Sequence, residues 1–261
     1  MDNRPIGVYD SGIGGLTVFS KLYNKLPKEN FIYFGDTANI PYGTKSKQEL
    51  LDITHRIMNF FANQNVKAVV MACNTTSAVT YDSLKNDYDF KIYPLIQTAC
   101  QKIAELKIKK IGTLSTEATA LSHAYKNNIQ KFNPSIDVIE HGCPKKWVEM
   151  VENSTQNLLE NKEIIKENID ILLKENVEKI ILGCTHYPYL KEALIEITKE
   201  DIFIDPSEFF ANFIANEVKI TMPSEQKLYD AKFFVSFEPK KFKESSSLFY
   251  KVSKEPTLIK F

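Results

Sequence analysis

The sequence has few cysteines, a single tryptophan and no excess of charge of either sign. Its 261 residues include four cysteines, and 33 Lys and Arg side chains balance 33 Asp and Glu side chains. Four cysteines are too few for a disulfide scaffold in a chain of this length, so we expect free thiols and a reducing, cytoplasmic location. The balanced charge gives no electrostatic reason to expect nucleic acid as a partner.

Long apolar runs are also missing. No segment approaches the roughly 20 consecutive apolar residues that a membrane-spanning helix requires, so no membrane partner is expected. Hydrophobic residues still make up 43% of the chain and charged residues 25%, as in ordinary globular proteins. A chain of this length can form one large domain or two small ones, each with its own core.

What the sequence does contain is a regular alternation of short apolar runs with amphipathic segments. Helices are predicted at 16–26, at 118–129, at 158–176, at 208–218 and after a capping box at 46–49. Alternating strands and helices indicate βαβ units and a mostly parallel sheet. The predicted strands lie at 6–10, 31–36, 91–96, 110–115, 136–141, 201–205 and 232–237, and in the runs that end at Cys73 and Cys184.

The two halves of the chain form a weak internal repeat. Ile6-Gly7 matches Ile111-Gly112, and Cys73 matches Cys184. Any two βαβ units look alike at this level, so the matched cysteines are the stronger signal. We predict an α/β fold of two similar domains, each a mostly parallel sheet flanked by helices, with the active site in the interdomain cleft. Residues 1–97 with 208–261 form the first domain in this prediction, and residues 98–207 the second.

Two short blocks carry most of the functional information. Each follows a buried strand and precedes a predicted helix, and they read Ala72-Cys73-Asn74-Thr75-Thr76 and Gly183-Cys184-Thr185-His186-Tyr187-Pro188. Open α/β sheets bind ligands at the carboxyl ends of their strands, and a helix amino end favours thiolate over thiol. Two opposed thiols have a particular use, because one can remove a proton from carbon while the other returns one to the opposite face.

Other interpretations of these polar groups stay open. The turn at 10–15 is rich in glycine but fails both the dinucleotide fingerprint and the P-loop pattern; its N–H groups can hold a carboxylate or phosphate, and Asp10 can be a helix cap. His141-x-Cys143 and Cys184-x-His186 offer four zinc ligands without the usual short pairs. Alternatively, Cys184 can be a nucleophile with His186 as its base, which leaves Cys73 without a role. Cys100 and Cys143 are interpreted as small buried hydrophobic residues.

At these residues the chain resembles the glutamate racemases, in the cofactor-independent aspartate/glutamate racemase superfamily. The matching blocks are residues 10–18, Gly35-Asp36-Thr37, Pro41-Tyr42-Gly43, Ala72-Cys73-Asn74-Thr75 and residues 183–188. After about residue 210 the likeness is one of pattern only. The resemblance implies two α/β domains with glutamate buried between them, no cofactor and no metal. It also implies a homodimer that supplies D-glutamate for peptidoglycan.

The resemblance further implies a role for individual residues. Cys73 and Cys184 become the two acid/base residues, with Cys73 serving D-glutamate and Cys184 serving L-glutamate. Asp10 and His186 assist the adjacent thiols, with Asp36 as a weaker candidate, and Glu152 lies near the substrate ammonium or behind Cys184. The residues that hold the carboxylates and the ammonium are Asp10, Ser11, Tyr42, Gly43, Asn74, Thr75, Thr76, Thr185, His186 and Glu152.

One stretch departs from the family pattern. After Cys143 the family usually continues with apolar residues, whereas residues 145–149 are polar here and include Trp147, the only tryptophan. We expect altered packing near the mouth of the cleft. Two alternative functions remain at this stage, a racemase of aspartate or another small acid and a non-catalytic amino-acid-binding module. Binding alone has no use for paired thiols.

Overall fold

The chain forms two separate β-sheets in a computed structural model that describes residues 2–218 and 231–261. Every strand pairing in both sheets is parallel. Within the described ranges the strands are β1 (Ile6–Asp10), β2 (Phe31–Gly35), β3 (Ala68–Met71), β4 (Lys91–Pro94), β5 (Lys110–Thr116), β6 (Asp137–Cys143), β7 (Lys179–Gly183), β8 (Phe203–Ile204), β9 (Ala231–Val235) and β10 (Thr257–Leu258).

The strand orders confirm that two similar α/β units face each other. The first sheet has the order β10-β9-β2-β1-β3-β4, and the second has the order β6-β5-β7-β8. β1 to β4 and β5 to β8 therefore follow the same winding, with the first strand of each set between the second and the third. The carboxyl-terminal strands β9 and β10 extend the first sheet beyond β2, where the strand predicted at 232–237 finds its partner.

Helices cover both sheets, as the alternating pattern predicts. They are α1 (Leu16–Lys25), α2 (Lys47–Asn63), α3 (Asn74–Val79), α4 (Tyr81–Leu84), α5 (Leu95–Ile103), α6 (Glu117–Leu121), α7 (Ala124–Phe132), α8 (Lys146–Glu152), α9 (Leu159–Lys174), α10 (Lys191–Thr198), α11 (Pro206–Glu217) and α12 (Pro239–Ser246). Short 3₁₀ turns form at Tyr42–Thr44 and Tyr187–Leu190. No helix in the described part of the chain is long and apolar enough to cross a membrane.

Local sequence explains how α2 begins and which face it buries. Ser46 and Glu49 cap its amino end reciprocally, as the capping box predicts. Leu50, Ile57 and Phe61 lie on one face and are fully buried against the first sheet. The spacing of these apolar residues, two turns and then one turn apart, is what selects a helix here.

Sheet membership follows the predicted division of the chain, and the exact domain boundaries stay a prediction. β5 to β8 lie within 98–207, and the strands of the first sheet lie within the other two segments. The predicted domain boundaries, after residues 97 and 207, both fall in the first turn of a helix, one in α5 and one in α11. These two helices pack against each other. Met1 and residues 219–230, which the predicted first domain includes, lie outside the described residues.

Two predicted elements differ in detail. The helix predicted at 118–129 is two helices, α6 and α7, because His123 between them has a left-handed backbone with φ of 53°. The strand predicted to end at His141 continues to Cys143, pairing along its whole length with β5. His141 therefore lies inside β6, and Cys143 occupies the carboxyl end of the strand.

Candidate active site

The carboxyl ends of the two sheets share one cavity of about 450 Å³. Side chains from both sheets line it, so neither sheet forms the site alone. Of the residues predicted for the site, those that line this cavity are Ser11, Tyr42, Gly43, Cys73, Asn74, Thr75, Glu152, Cys184, Thr185 and His186.

The two cysteines occupy equivalent places on the two sheets. Cys73 follows β3 and caps the amino end of α3 with an extended backbone. Cys184 follows β7 and is succeeded by the 3₁₀ turn at Tyr187–Leu190 rather than directly by an α-helix. Both are free thiols, buried from bulk solvent at 5% and 7% exposure, and both line the cavity. The site therefore has one thiol from each sheet.

A hydrogen-bonded row of side chains stands beside Cys184. His186 Nδ1 lies 3.9 Å from the sulfur of Cys184, and its Nε2 lies 3.1 Å from Glu152 Oε1. Burial lowers the pKa of His186, but its bonds to Cys184 and Glu152 outweigh this and raise the pKa to about 10. The imidazole is therefore positively charged at neutral pH. Glu152 lies at the end of α8, on the Cys184 side, where it contacts His186.

The surroundings of Cys73 favour its protonated form, the thiol. Burial raises its pKa, and the nearby Asp10 carboxyl adds to the effect, so that the pKa reaches about 12 despite hydrogen bonds from Thr76. The raised pKa runs against the expectation that a helix amino end favours the thiolate at Cys73. α3 has only six residues, and its terminal dipole is outweighed by the cost of placing an anion in a buried position.

Asp10 lies behind the cavity rather than on its wall. It is fully buried, accepts a hydrogen bond of 3.0 Å from the Gly12 N–H, and accepts one of 3.3 Å from the Thr185 hydroxyl. Burial raises the pKa of Asp10, although the nearby His186 and the hydrogen bonds work against this. It thus connects the loop after β1 with the loop after β7, and its expected direct contact with substrate has no support in this geometry.

Asp36 also lies outside the cavity and fixes the loop that carries Tyr42 and Gly43. Its carboxylate accepts hydrogen bonds from the Tyr42 hydroxyl at 2.5 Å, from Asn39 and from the Ser236 hydroxyl at 2.7 Å. Ser236 directly follows β9. A residue 200 positions further along the chain thereby supports one wall of the site.

A group of threonine hydroxyls joins the two sheets at the site. Thr75 Oγ1 lies 2.9 Å from Thr116 Oγ1, which in turn lies 2.9 Å from Thr119 Oγ1. Thr116 lines the cavity and was not predicted, although its place at the end of β5 was a usable signal. Thr76, which was predicted to hold substrate, is fully buried and not on the cavity wall; its hydroxyl bonds to the Cys73 carbonyl.

The segment after Cys143 forms another unpredicted part of the wall. Lys145, Val148 and Glu149 line the cavity together with Cys143 itself, which is buried as expected. Trp147 points away from the cavity and is fully buried, with its ring centroid 5.0 Å from that of Tyr187. Polar residues in this segment therefore face the cleft, and the tryptophan packs behind the Cys184 loop.

The zinc alternative finds no geometric support. His141 bonds through Nε2 to Asn168 Oδ1 at 2.7 Å instead of turning toward Cys184 and His186. In the described ranges, 2–218 and 231–261, no group of three or more His, Cys, Asp or Glu side chains is arranged to hold a metal ion.

Comparison with known proteins identifies relatives over most of the chain. A family model for Asp/Glu/Hydantoin racemase matches residues 15–213. The glutamate racemase of Trichodesmium erythraeum is 38% identical over 245 residues, covering 93% of this chain and 90% of that protein. Glutamate racemase 2 of Caldanaerobacter subterraneus is 37% identical over 255 residues, covering 95% of this chain and 94% of that protein.

Solved structures agree with this assignment. Glutamate racemase from Francisella tularensis in complex with D-glutamate matches with a TM-score of 0.89 at 34% identity, covering 99% of this chain and 98% of that one. The Thermus thermophilus glutamate racemase matches with a TM-score of 0.83 at 28% identity, covering 99% and 97%. The chain therefore belongs to the Asp/Glu/Hydantoin racemase family of isomerases, and the relatives compared with it are glutamate racemases.

Proposed function

We propose that this racemase interconverts L- and D-glutamate with two thiols, one on each face of the substrate Cα. The observation that supports this mechanism is the placement of Cys73 and Cys184, from different sheets, on one cavity. The glutamate racemase relatives, and the D-glutamate bound in one of their structures, support glutamate as the substrate.

The groups around the thiols suit the L-to-D direction. The positive charge of His186 attracts negative charge on the Cys184 sulfur, and the raised pKa of Cys73 keeps its proton in place. Cys184 enters this step as the thiolate: with L-glutamate bound, the Cα–H bond breaks, the thiolate takes the proton, and the electron pair passes into the α-carboxylate. Cys73 then donates its proton to the opposite face of Cα and becomes a thiolate, which is the form required for the reverse reaction.

The difficult step is ionising a weakly acidic Cα–H, so charge on the α-carboxylate must be stabilised. Asn74 and Thr75 line the cavity beside Cys73 and offer neutral hydrogen-bond donors. Thr185 lines it beside Cys184, with its hydroxyl donated to Asp10. Ser11, Tyr42 and Gly43 lie on the same wall and complete the set of groups for the two carboxylates. Asp10, Asp36 and Thr76 support these residues from behind the wall instead of touching substrate.

Solvent labelling tests the two-thiol mechanism. Incubation with L-glutamate in D₂O should place deuterium at Cα of the D-glutamate formed, because the thiol on the far face has exchanged with solvent. Early in the reaction the remaining L-glutamate should gain much less label, since a single thiol tends to return the proton it took. Mass spectrometry of the separated enantiomers measures both.

Other labelling results would contradict the two-thiol mechanism. A one-base enzyme would leave protium in the inverted product, and a binding protein would give no label at Cα at all. Chelators and carbonyl-trapping reagents should leave the rate unchanged. Loss of activity with a chelator, restored by zinc, would overturn the assignment of Cys184 and His186 in favour of metal ligation.

The cellular role is the remaining part of the proposal. We expect the enzyme to act in the cytoplasm as a homodimer and to supply D-glutamate for peptidoglycan. Rescue of a bacterial strain that requires D-glutamate for growth tests the role, and light scattering on the purified protein tests the dimer. Failure to rescue despite measured racemisation would contradict the role and leave the activity intact.

A further inference from the structure

Tyr125 connects the second sheet to the loop that carries Cys73. It is the second residue of α7 and is fully buried. Its hydroxyl donates a hydrogen bond of 2.7 Å to Asn74 Oδ1, the side chain that follows Cys73. This bond joins residues 51 positions apart and crosses from one sheet's unit to the other's. No motif in the sequence analysis singled out Tyr125.

The same ring also lies against the loop that carries Cys184. A Cβ atom built on Gly183 would stand 3.0 Å from Tyr125 Cε2, which is closer than most real contacts of this kind. The ring therefore packs on the backbone immediately before Cys184, and its tip reaches the residue immediately after Cys73. A single side chain is thus fixed between the loops of both thiols.

The hydrogen bond determines which way the Asn74 amide points. The Tyr125 hydroxyl is buried, and burial raises its pKa well above the ordinary value, so it keeps its proton. A buried phenol needs an acceptor for that proton, and Asn74 Oδ1 is the partner found for it. If the amide were turned over, two donors would face each other. The oxygen therefore stays on Tyr125, and the NH₂ group remains available to the cavity.

We infer that Tyr125 is a positioning residue of the racemase reaction. It orients Asn74 so that the amide NH₂ donates to the substrate α-carboxylate beside Cys73. Asn74 lines the cavity, and among the described residues its amide nitrogen has no hydrogen-bond partner. This inference rests on the proposed function, because it assigns a donor to the charge that develops during Cα deprotonation. It also makes this donor dependent on both sheets, since Tyr125 belongs to one and Asn74 to the other.

The test is a double-mutant cycle measured as racemisation of both enantiomers. Asn74→Ala removes the donor, and we expect kcat to fall about 100-fold. Tyr125→Phe keeps the ring and frees the amide to turn, and we expect kcat to fall about 10-fold with a much smaller change in KM, because the charge on the carboxylate develops only in the transition state. The double variant should be no slower than Asn74→Ala, since Tyr125 acts through Asn74.

Two further variants guard against a merely structural effect. Tyr88→Phe removes the hydroxyl of a different tyrosine, which is only partly buried and lies 2.9 Å from His55 Nδ1 and away from the cavity. This variant should leave kcat at the wild-type value. Asn74→Asp keeps the size of the side chain and an acceptor for Tyr125 but presents an oxygen to the cavity in place of NH₂. It should be at least as slow as Asn74→Ala even if Tyr125→Phe proves unstable.

The outcomes separate this inference from the proposed function. If the wild-type protein does not racemise glutamate, the proposed function fails. If the wild type is active and Tyr125→Phe matches Tyr88→Phe in kcat, the inference is wrong. It is also wrong if the two single losses multiply in the double variant, or if Asn74→Asp keeps the wild-type kcat. Non-additive losses with an inactive Asn74→Asp support it.

Discussion

Two chemically identical side chains differ at this site because of their neighbours. Cys184 has an imidazolium backed by a carboxylate beside it, whereas Cys73 has a buried carboxyl and no facing cation among the described residues. Burial and the nearby Asp10 carboxyl raise the pKa of Cys73, whereas the pKa of His186 is raised by Cys184 and Glu152 against the effect of burial. An inversion by two acid/base groups requires one group that takes a proton and one that supplies it, and the unlike neighbours of the two thiols suit this division.

Replacing either thiol should abolish inversion. Cys73→Ser or Cys184→Ser should each lower the racemisation rate by several orders of magnitude, because a hydroxyl is a far poorer proton acceptor than a thiolate at neutral pH. Circular dichroism on each enantiomer measures the rate. Near-normal rates in both directions for either variant would contradict the two-thiol mechanism. Cys100→Ser, which changes a buried thiol outside the cavity, is the matched control and should retain activity.

His186 should control the proton transfer at Cys184 specifically. Since the two enantiomers are equally stable, His186→Gln must lower kcat/KM by one common factor in both directions. The Cα deuterium isotope effect should however rise with L-glutamate and fall with D-glutamate, because the step at Cys184 becomes more rate-limiting. Glu152→Gln, which weakens the same row of contacts, should shift both isotope effects in the same directions by less. Equal changes for both enantiomers would show that His186 does not act through Cys184.

At the scale of elements, the loops after the strands form the site, and their glycines allow them to approach one another. A Cβ atom on Gly14 would lie 2.5 Å from both His186 Nδ1 and Thr185 Oγ1. The loop after β1 therefore touches the loop after β7 at a position with no room for a side chain. No glycine among the described residues has a positive φ, so close approach, not backbone conformation, is the reason for glycine here.

Alanine at Gly14 should therefore impair catalysis, and alanine at Gly12 should not do so to the same degree. Gly14→Ala pushes His186 and Thr185 from their positions. We expect kcat/KM to fall about 100-fold or more, because misplacing catalytic groups by about 1 Å lowers the rate by that much. A Cβ on Gly12 meets only Ile40 at 3.8 Å, an ordinary contact. Steady-state kinetics of the two variants gives the comparison, and equal losses would contradict the steric explanation.

At the scale of the whole molecule, the site exists only where the two sheets face each other. The threonine contacts between Thr75 and Thr116 and the bond from Tyr125 to Asn74 cross between the sheets beside the cavity. On the opposite side, Lys21 of α1 forms an ion pair with Asp205, at the start of α11. Packing of α1, α5, α7 and α11 holds the two sheets together behind the site.

Stability of the whole molecule should decrease from neutral to alkaline pH. The pKa of His186 rises from about 6.5 to about 10 on folding, so its contribution is complete below pH 6.5 and is lost as the pH rises through 10. The folded protein binds more protons than the unfolded chain in this window, and one proton gives a slope of up to about 1.4 kcal/mol per pH unit. Urea unfolding monitored by Trp147 fluorescence measures the free energy of unfolding at each pH.

A comparison with His186→Gln shows whether His186 causes this change of stability with pH. The variant should lose less stability than the wild type between pH 6.5 and 10, because glutamine does not titrate. The raised pKa of Cys73 acts in the same direction only above pH 9. Parallel pH curves for the two proteins, or a wild-type stability that increases over this range, would contradict the predicted charge of His186.

The sequence alone determined the parallel α/β units and the matched positions of Cys73 and Cys184 at strand ends. These features are local: apolar runs select strands, amphipathic spacing selects helices, and the residue after a parallel strand lies at the sheet edge where ligands bind. The resemblance to the family added the other predicted residues that lie on the cavity, namely Ser11, Tyr42, Gly43, Asn74, Thr75, Glu152 and Thr185.

Only the tertiary structure decided which residues line the cavity and which are buried behind its wall. Asp10 and Thr76 follow strand ends, as the lining residues do, yet both are buried behind the cavity. Tyr125 and Ser236 have no local signal, because their importance depends on bonds across 51 and 200 positions. The protonation states were undecided for the same reason. A helix terminus can be read from the sequence, but the burial that outweighs it at Cys73 arises only when the two sheets close around the site.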